Sequence, residues 1–172
     1  MKRLPLTMRS HHVRRLARAA AEAAPREACG VLLGETIHRE RLVRRLTVAR
    51  NLSPAPRRFF LDPAHLLRQE EAVAARRLEI LGVWHSHLGA PARPSHLDLE
   101  GTPSTWIQLI TRMDDGVVTD LRAWETVEGQ VQETRVFVDD DLHDSSPDGR
   151  PHAHAWSGAV AGWTAPNGGL QA

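Results

Sequence analysis

The chain has 172 residues with 41% hydrophobic and 25% charged side chains, enough for one domain with a real core and too few to expect two. Its formal net charge is +1, Lys2 is the sole lysine and tyrosine is absent, so no dense basic stripe with interleaved aromatics argues for nucleic acid. One cysteine, Cys29, excludes an internal disulfide and any thiolate zinc cluster; no apolar run reaches membrane-spanning length.

Residues 3–8 alternate weakly and read as a first strand. Ser10 then has the character of an N-cap, and Val13, Leu16, Ala17, Ala20 and Ala24 recur at helical spacing, so a helix is predicted to about Ala24, stopped by Pro25. Its Arg14, Arg15, Arg18 and Glu22 face reads as solvated, and His11 and His12 as surface residues. Glu27 opens a strand over 28–33, in which Cys29 reads as a buried core thiol. Gly34-Glu35 is predicted to turn into a second strand pair over 37–49. After a loop containing Pro54 and Pro56, 59–61 reads as a short strand, and Asp62-Pro63 as the start of a helix using Leu66, Leu67, Glu70, Val73, Ala74 and Arg77.

The apolar run 78–84 is short enough to be a buried strand, and His85 and His87 should continue it. Residues two apart in a strand share a face, so both imidazoles point one way and Ser86 the other, while Trp84 reads as core. Gly89, Pro91 and Pro94 impose a loop. Ser95 can then cap a short helix ending near 101–103, with Asp98 one turn in, which returns a carboxylate toward the histidines. His96 reads as a surface residue. Two histidine nitrogens and one carboxylate oxygen form the ligand set of a catalytic zinc site, with a fourth tetrahedral position left for water.

Three further strands are expected at 105–112, 117–126 and 131–138, with hairpin turns at Asp114-Asp115-Gly116 and Glu128-Gly129. Past Asp139 the periodicity disappears. Residues 1–141 are therefore read as the domain and 142–172 as a poorly ordered tail; within the latter, His152 and His154 lack a carboxylate at ligand spacing, and Trp156 and Trp163 have no assignable place. The N-terminus lacks the continuous apolar stretch of a signal peptide, which points to the cytoplasm.

His85-Ser86-His87, seven residues, Ser95, two residues and Asp98 together resemble the signature of the JAMM (MPN-plus) zinc metalloproteases. The stretch from Pro25 to Gly34 resembles that family's first strand with its glutamate, and the likeness runs over about 1–140. Family members usually carry proline after the second histidine, where this chain has Leu88. The resemblance implies a single α/β domain with a mixed, curved sheet flanked by helices, layered like a cytidine deaminase, holding one zinc ion on His85, His87 and Asp98. Glu27 would hold the attacking zinc-bound water, take its proton and pass it to the leaving nitrogen, while Ser95 would donate its hydroxyl to the oxyanion. The compact length resembles the small prokaryotic branch, whose substrates are ubiquitin-like sulfur-carrier proteins ending in Gly-Gly. Arg93, in the loop between the ligands, is a candidate to hold an acidic group of such a substrate. A silent binding scaffold of the same fold is the alternative, although such relatives typically lack the ligands present here. A zinc deaminase needs a cysteine pair that one cysteine cannot supply. The residues leave open whether the chain pairs as a homodimer.

Overall fold

The computed structural model describes residues 4–139 and His154–Ala155. Strand β1 (Leu6–Met8) leads into helix α1 (Ser10–Ala23), followed by the hairpin β2 (Cys29–Ile37) and β3 (Glu40–Leu46), then helix α2 (Pro63–Ala74). Strand β4 (Glu79–Leu88), the short helix α3 (His96–Glu100), β5 (Ile107–Asp114), β6 (Val117–Val127), β7 (Gln130–Thr134), β8 (Val136–Val138) and β9 (His154–Ala155) complete the order. Among the described residues all nine strands join one mixed sheet in the order β7-β6-β5-β4-β2-β3-β1-β8-β9. The pairs β4–β5, β1–β3 and β1–β8 are parallel, and the rest antiparallel.

That order fixes the shape. β7 and β8 are separated in sequence by Arg135 alone, yet they lie toward opposite ends of the sheet. One extended segment can do this only if the sheet curls until its ends nearly meet. The seam is held by Leu6 N donating to Arg135 O (2.9 Å), by Thr134 Oγ1 donating to Leu4 O (3.0 Å), and by an Arg41–Glu125 ion pair at 2.8 Å between β3 and β6. The single strand predicted for 131–138 is thus two, because the segment exchanges β6 for β1 as its partner at Arg135.

Other expectations shift for local reasons. The residue preceding α1 is Arg9: Ser10 sits inside the first turn and its hydroxyl accepts from Arg14 (2.8 Å), while His12 Nδ1 accepts the Arg9 N–H (3.2 Å). His12 is therefore buried and not a surface residue, and burial, aided by neighbouring His11, pushes its pKa down to about 4. Gly34 does not turn the chain. β2 continues to Ile37, the turn falls at His38 and Arg39 with φ of 47° and 66°, and Gly34 marks a register shift. A Cβ there would lie 1.9 Å from Leu42 O, so the glycine permits close strand approach. Residues 59–61 do not form a strand; Leu61 makes only an isolated bridge with Asn51. α2 begins as predicted, with Asp62 Oδ1 accepting from Ala64 N (2.9 Å) and Pro63 in the first turn, although Leu67 is exposed and Gln69 is the residue it buries.

The two faces of the curled sheet differ. α1 packs Val13, Leu16, Ala17 and Ala20 into one continuous core with Leu32, Trp84, Leu109 and Ala123, and the Trp84 indole N–H donates to Thr47 O (2.7 Å). The register aligns Cys29 with His85 and Val31 with Val83 on the other face, where His85 neighbours Ile110 and Val83 neighbours Gln108. α2 lies against β2 and β4. No helix among the described residues is long and apolar enough to cross a membrane. Most of the expected tail, including His152, Trp156 and Trp163, lies outside the described residues, and His154–Ala155 pair with β8.

Candidate metal centre

β4 runs unbroken through both histidines, and its parity sets them side by side, with ring centroids 4.9 Å apart and Nε2 atoms 3.1 Å apart. Ser86, on the opposite face, is structural: its hydroxyl accepts from Ala28 N (2.9 Å), and its own N–H donates to Ala28 O (3.0 Å). These alternating bonds direct Ser86 N toward β2 and Gly89 N toward Met113 O on β5. The N–H of Leu88 consequently points to the side beyond the first residue of β2, so the ladder takes no bond from it there.

The loop after Leu88 is fastened to its surroundings. Gly89 takes φ +72°, His87 Nδ1 lies 2.6 Å from Pro91 O, and the Trp124 indole donates to Ala92 O (2.8 Å). Ser95 caps α3 with a reciprocal pair: Asp98 N donates to Ser95 Oγ (3.3 Å) and Ser95 N donates to Asp98 Oδ2 (2.7 Å). Gln108 adds a bond to Asp98 O (3.1 Å). The cap thereby aims the carboxylate, leaving Asp98 Oδ2 at 3.6 Å from His85 Nε2 and 3.7 Å from His87 Nε2.

Three lone-pair atoms thus surround one point. Because His87 donates its Nδ1 proton to Pro91 O, the neutral form of its ring presents the Nε2 lone pair inward. Tetrahedral zinc with bonds near 2.0–2.1 Å sets its ligand atoms about 3.4 Å apart, close to the 3.1, 3.6 and 3.7 Å edges found here. All three residues are buried, and among the described residues they form the one such group. The donor set therefore fits a zinc ion.

The electrostatics agree with crowding of charge. Burial alone would raise Asp98, but the two imidazoles facing it hold its carboxyl well below the usual carboxylate range, helped by the bond from Ser95. Burial pushes fully enclosed His85 down, whereas for His87 burial is outweighed by Asp98, Pro91 O and Glu27, leaving it raised. Glu27 stands just before β2, only 5% exposed, and its Oε2 is buried without a hydrogen-bond partner. Burial lifts its pKa to about 7, opposed by the charge of His87 and reinforced by that of Asp98. Arg26 does not pair with it: that guanidinium binds the carbonyls of Asn51 and Ser53. Cys29 is buried with its thiol pushed up to about 12, as a core thiol should be.

The remaining candidates lie at the margin. Ser95 and Arg93 are exposed, and the Arg93 guanidinium sits 5.6 Å from the centroid of the Trp124 ring. His96 is a surface residue that faces Glu100. Sequence reasoning missed Asn51, Phe59, Gln108 and Trp124, all of which touch this assembly. Of these only Asn51 carried a signal, because asparagine two residues before serine in a proline-rich stretch is an Asx-turn pattern.

Known proteins resemble this chain in fold and in sequence. A solution structure from Desulfitobacterium hafniense superposes with a TM-score of 0.71 at 28% identity, covering 80% of this chain and 95% of that one. One from Salinibacter ruber gives 0.60 at 28% identity, over 86% and 98%. In sequence, the chain is 31% identical over 105 residues to a Pyrococcus furiosus protein named "Desampylase", covering 59% of this chain and 71% of that protein. It is 33% identical over 109 residues to a Thermus thermophilus protein named "Probable TtuB-protein conjugate cleaving protease", covering 62% and 66%. The family model of prokaryotic homologs of the JAB domain matches residues 9–127, so α1, both histidines, Asp98 and most of the sheet fall within it, and the chain belongs to that family.

Proposed function

We propose that this protein is a zinc-dependent peptidase or isopeptidase that hydrolyses an amide bond at the C-terminal Gly-Gly tail of a ubiquitin-like, sulfur-carrier-type protein. The observation that carries the reading is the convergence of His85 Nε2, His87 Nε2 and Asp98 Oδ2, together with a buried Glu27 whose Oε2 has no partner and whose carboxyl feels the charges of His87 and Asp98. The names of the Pyrococcus and Thermus relatives, a desampylase and a protein-conjugate cleaving protease, support a protein conjugate as the substrate.

His85, His87 and Asp98 would hold the ion. Zinc in that position supplies Lewis acidity, polarising a carbonyl and making water acidic enough to act as a nucleophile near neutrality. Glu27 then does the proton work. With its pKa lifted to about 7, its carboxylate accepts a proton from the attacking water and returns it to the departing amine, which leaves poorly until protonated. Ser95 uses its oxygen to cap α3 and keeps its hydroxyl proton free to donate to the oxyanion as charge develops there. Arg93, exposed at the rim and steadied against Trp124, receives an acidic group of the substrate.

The test is to incubate the zinc-loaded chain with ubiquitin-like carriers bearing C-terminal extensions and to weigh the products. Cleavage after Gly-Gly is expected. The Glu27→Gln variant should retain zinc while turnover falls roughly 10³-fold; undiminished turnover would refute the assignment of Glu27.

A further inference from the structure

His85 and His87 reach the same point but are held by different means. His87 has its second nitrogen on Pro91 O at 2.6 Å, which fixes both tautomer and ring plane. The Nδ1 of His85 is buried and has no hydrogen-bond partner. A metal-ligating imidazole almost always relies on a bond from its other nitrogen for orientation, and His85 lacks it.

What His85 has is Phe59. The two rings stack with centroids 4.4 Å apart and planes inclined by 23°. Phe59 lies outside the sheet, in the loop between Asn51 and Leu61, and the Asn51 side chain organises that loop. Its Nδ2 donates to Glu27 O (2.8 Å) and Arg58 O (2.9 Å), and its Oδ1 accepts from Ser53 N (2.9 Å) and Phe60 N (3.0 Å). Glu27 N in turn donates to Pro56 O (3.2 Å). One amide therefore ties the backbone of Glu27 to the residues on either side of Phe59.

We propose that Phe59 is a positioning residue for His85: its ring face takes the place of the missing Nδ1 hydrogen bond, and Asn51 is the clamp that keeps that face in register with Glu27. The inference rests on the metal reading of His85, His87 and Asp98. Stacking restricts rotation of the imidazole about its Cβ–Cγ bond, and so keeps the Nε2 lone pair aimed at the point shared with His87 and Asp98.

The full-length chain and cobalt(II) provide the test, with affinity measured against a chromophoric chelator and ligand geometry by the visible absorption bands. Phe59→Leu is expected to bind cobalt about tenfold more weakly, with altered bands. Phe59→Tyr, which retains the aromatic face, should restore both. Metal-free melting curves separate this effect from a loss of fold. Unchanged affinity and bands in Phe59→Leu would overturn the proposal, as would a Phe59→Tyr variant no better than Phe59→Leu. Should Phe59→Leu fail to fold, the parent itself decides: its His85 ring protons should resonate upfield of those of His87 through the Phe59 ring current, and their absence from that position would overturn the assignment. A parent chain that binds no cobalt would instead bring down the metal reading, and this inference with it.

Discussion

The two faces of the curled sheet are made by alternate residues of the same strands, yet they solve opposite problems. On the inner face Trp84, Leu32 and Leu109 meet α1 in a dry core, and the one indole N–H buried there has a carbonyl partner. On the outer face lie His85 and His87 of β4, with Glu27 just before β2, buried almost as deeply, and His85 Nδ1 and Glu27 Oε2 are left unpaired. Burial of apolar surface stabilises the fold, whereas burial of unpaired ionisable groups opposes it. The inner face thus supplies the stability against which the outer face holds its chemistry, and substitutions on the two should move stability in opposite directions.

The largest effect belongs to the inner face. Trp84→Ala should cost about 4 kcal/mol by chemical denaturation, since it empties a fully buried site and leaves Thr47 O without its donor. Glu27→Gln, measured in metal-free protein at pH 8, should do the reverse and stabilise by roughly 1–2 kcal/mol. The sign follows from its pKa: a carboxyl lifted from 4.5 to about 7 binds its proton more tightly when folded, so stability is lost as pH rises through that window. A loss of stability in Glu27→Gln comparable to that of Trp84→Ala would erase the distinction between the faces.

His12 sharpens the same contrast from the inner side. Its pKa is pushed from 6.5 to about 4, so the unfolded chain binds the extra proton between these values. The stability that neutral His12 permits is present above pH 6.5 and is lost as pH falls toward 4, by on the order of 3 kcal/mol in total. Denaturation of the parent and of His12→Gln at pH 7 and pH 4 should show the gap between them shifting by that amount; a constant gap would contradict the buried, neutral assignment.

The part of the centre that was readable in the sequence is the part governed by local rules. Strand parity pairs His85 with His87, and the reciprocal cap between Ser95 and Asp98 returns a carboxylate from eleven residues further along the chain, so local rules alone bring the three atoms together. The hairpin turns at Asp115-Gly116 and Glu128-Gly129 follow equally local chemistry. What could not be read depends on partners distant in sequence. Nothing in the spacing of Phe59 marks it as a companion to His85, and its apolar neighbours suggested a strand. Gly34 was ambiguous because glycine serves both turns and close backbone approach, and here the approach of Leu42 decides. The division at Arg135 reflects closure of the whole sheet, to which periodicity within one segment is blind.

Zinc stoichiometry and affinity measure the central claim most directly. The purified chain, stripped and reloaded, should hold one zinc ion by native mass spectrometry, and His87→Ala and Asp98→Asn should each weaken binding at least a hundredfold in competition with a chelator. Full retention of zinc by both variants would contradict the convergence of His85, His87 and Asp98 on a single ion.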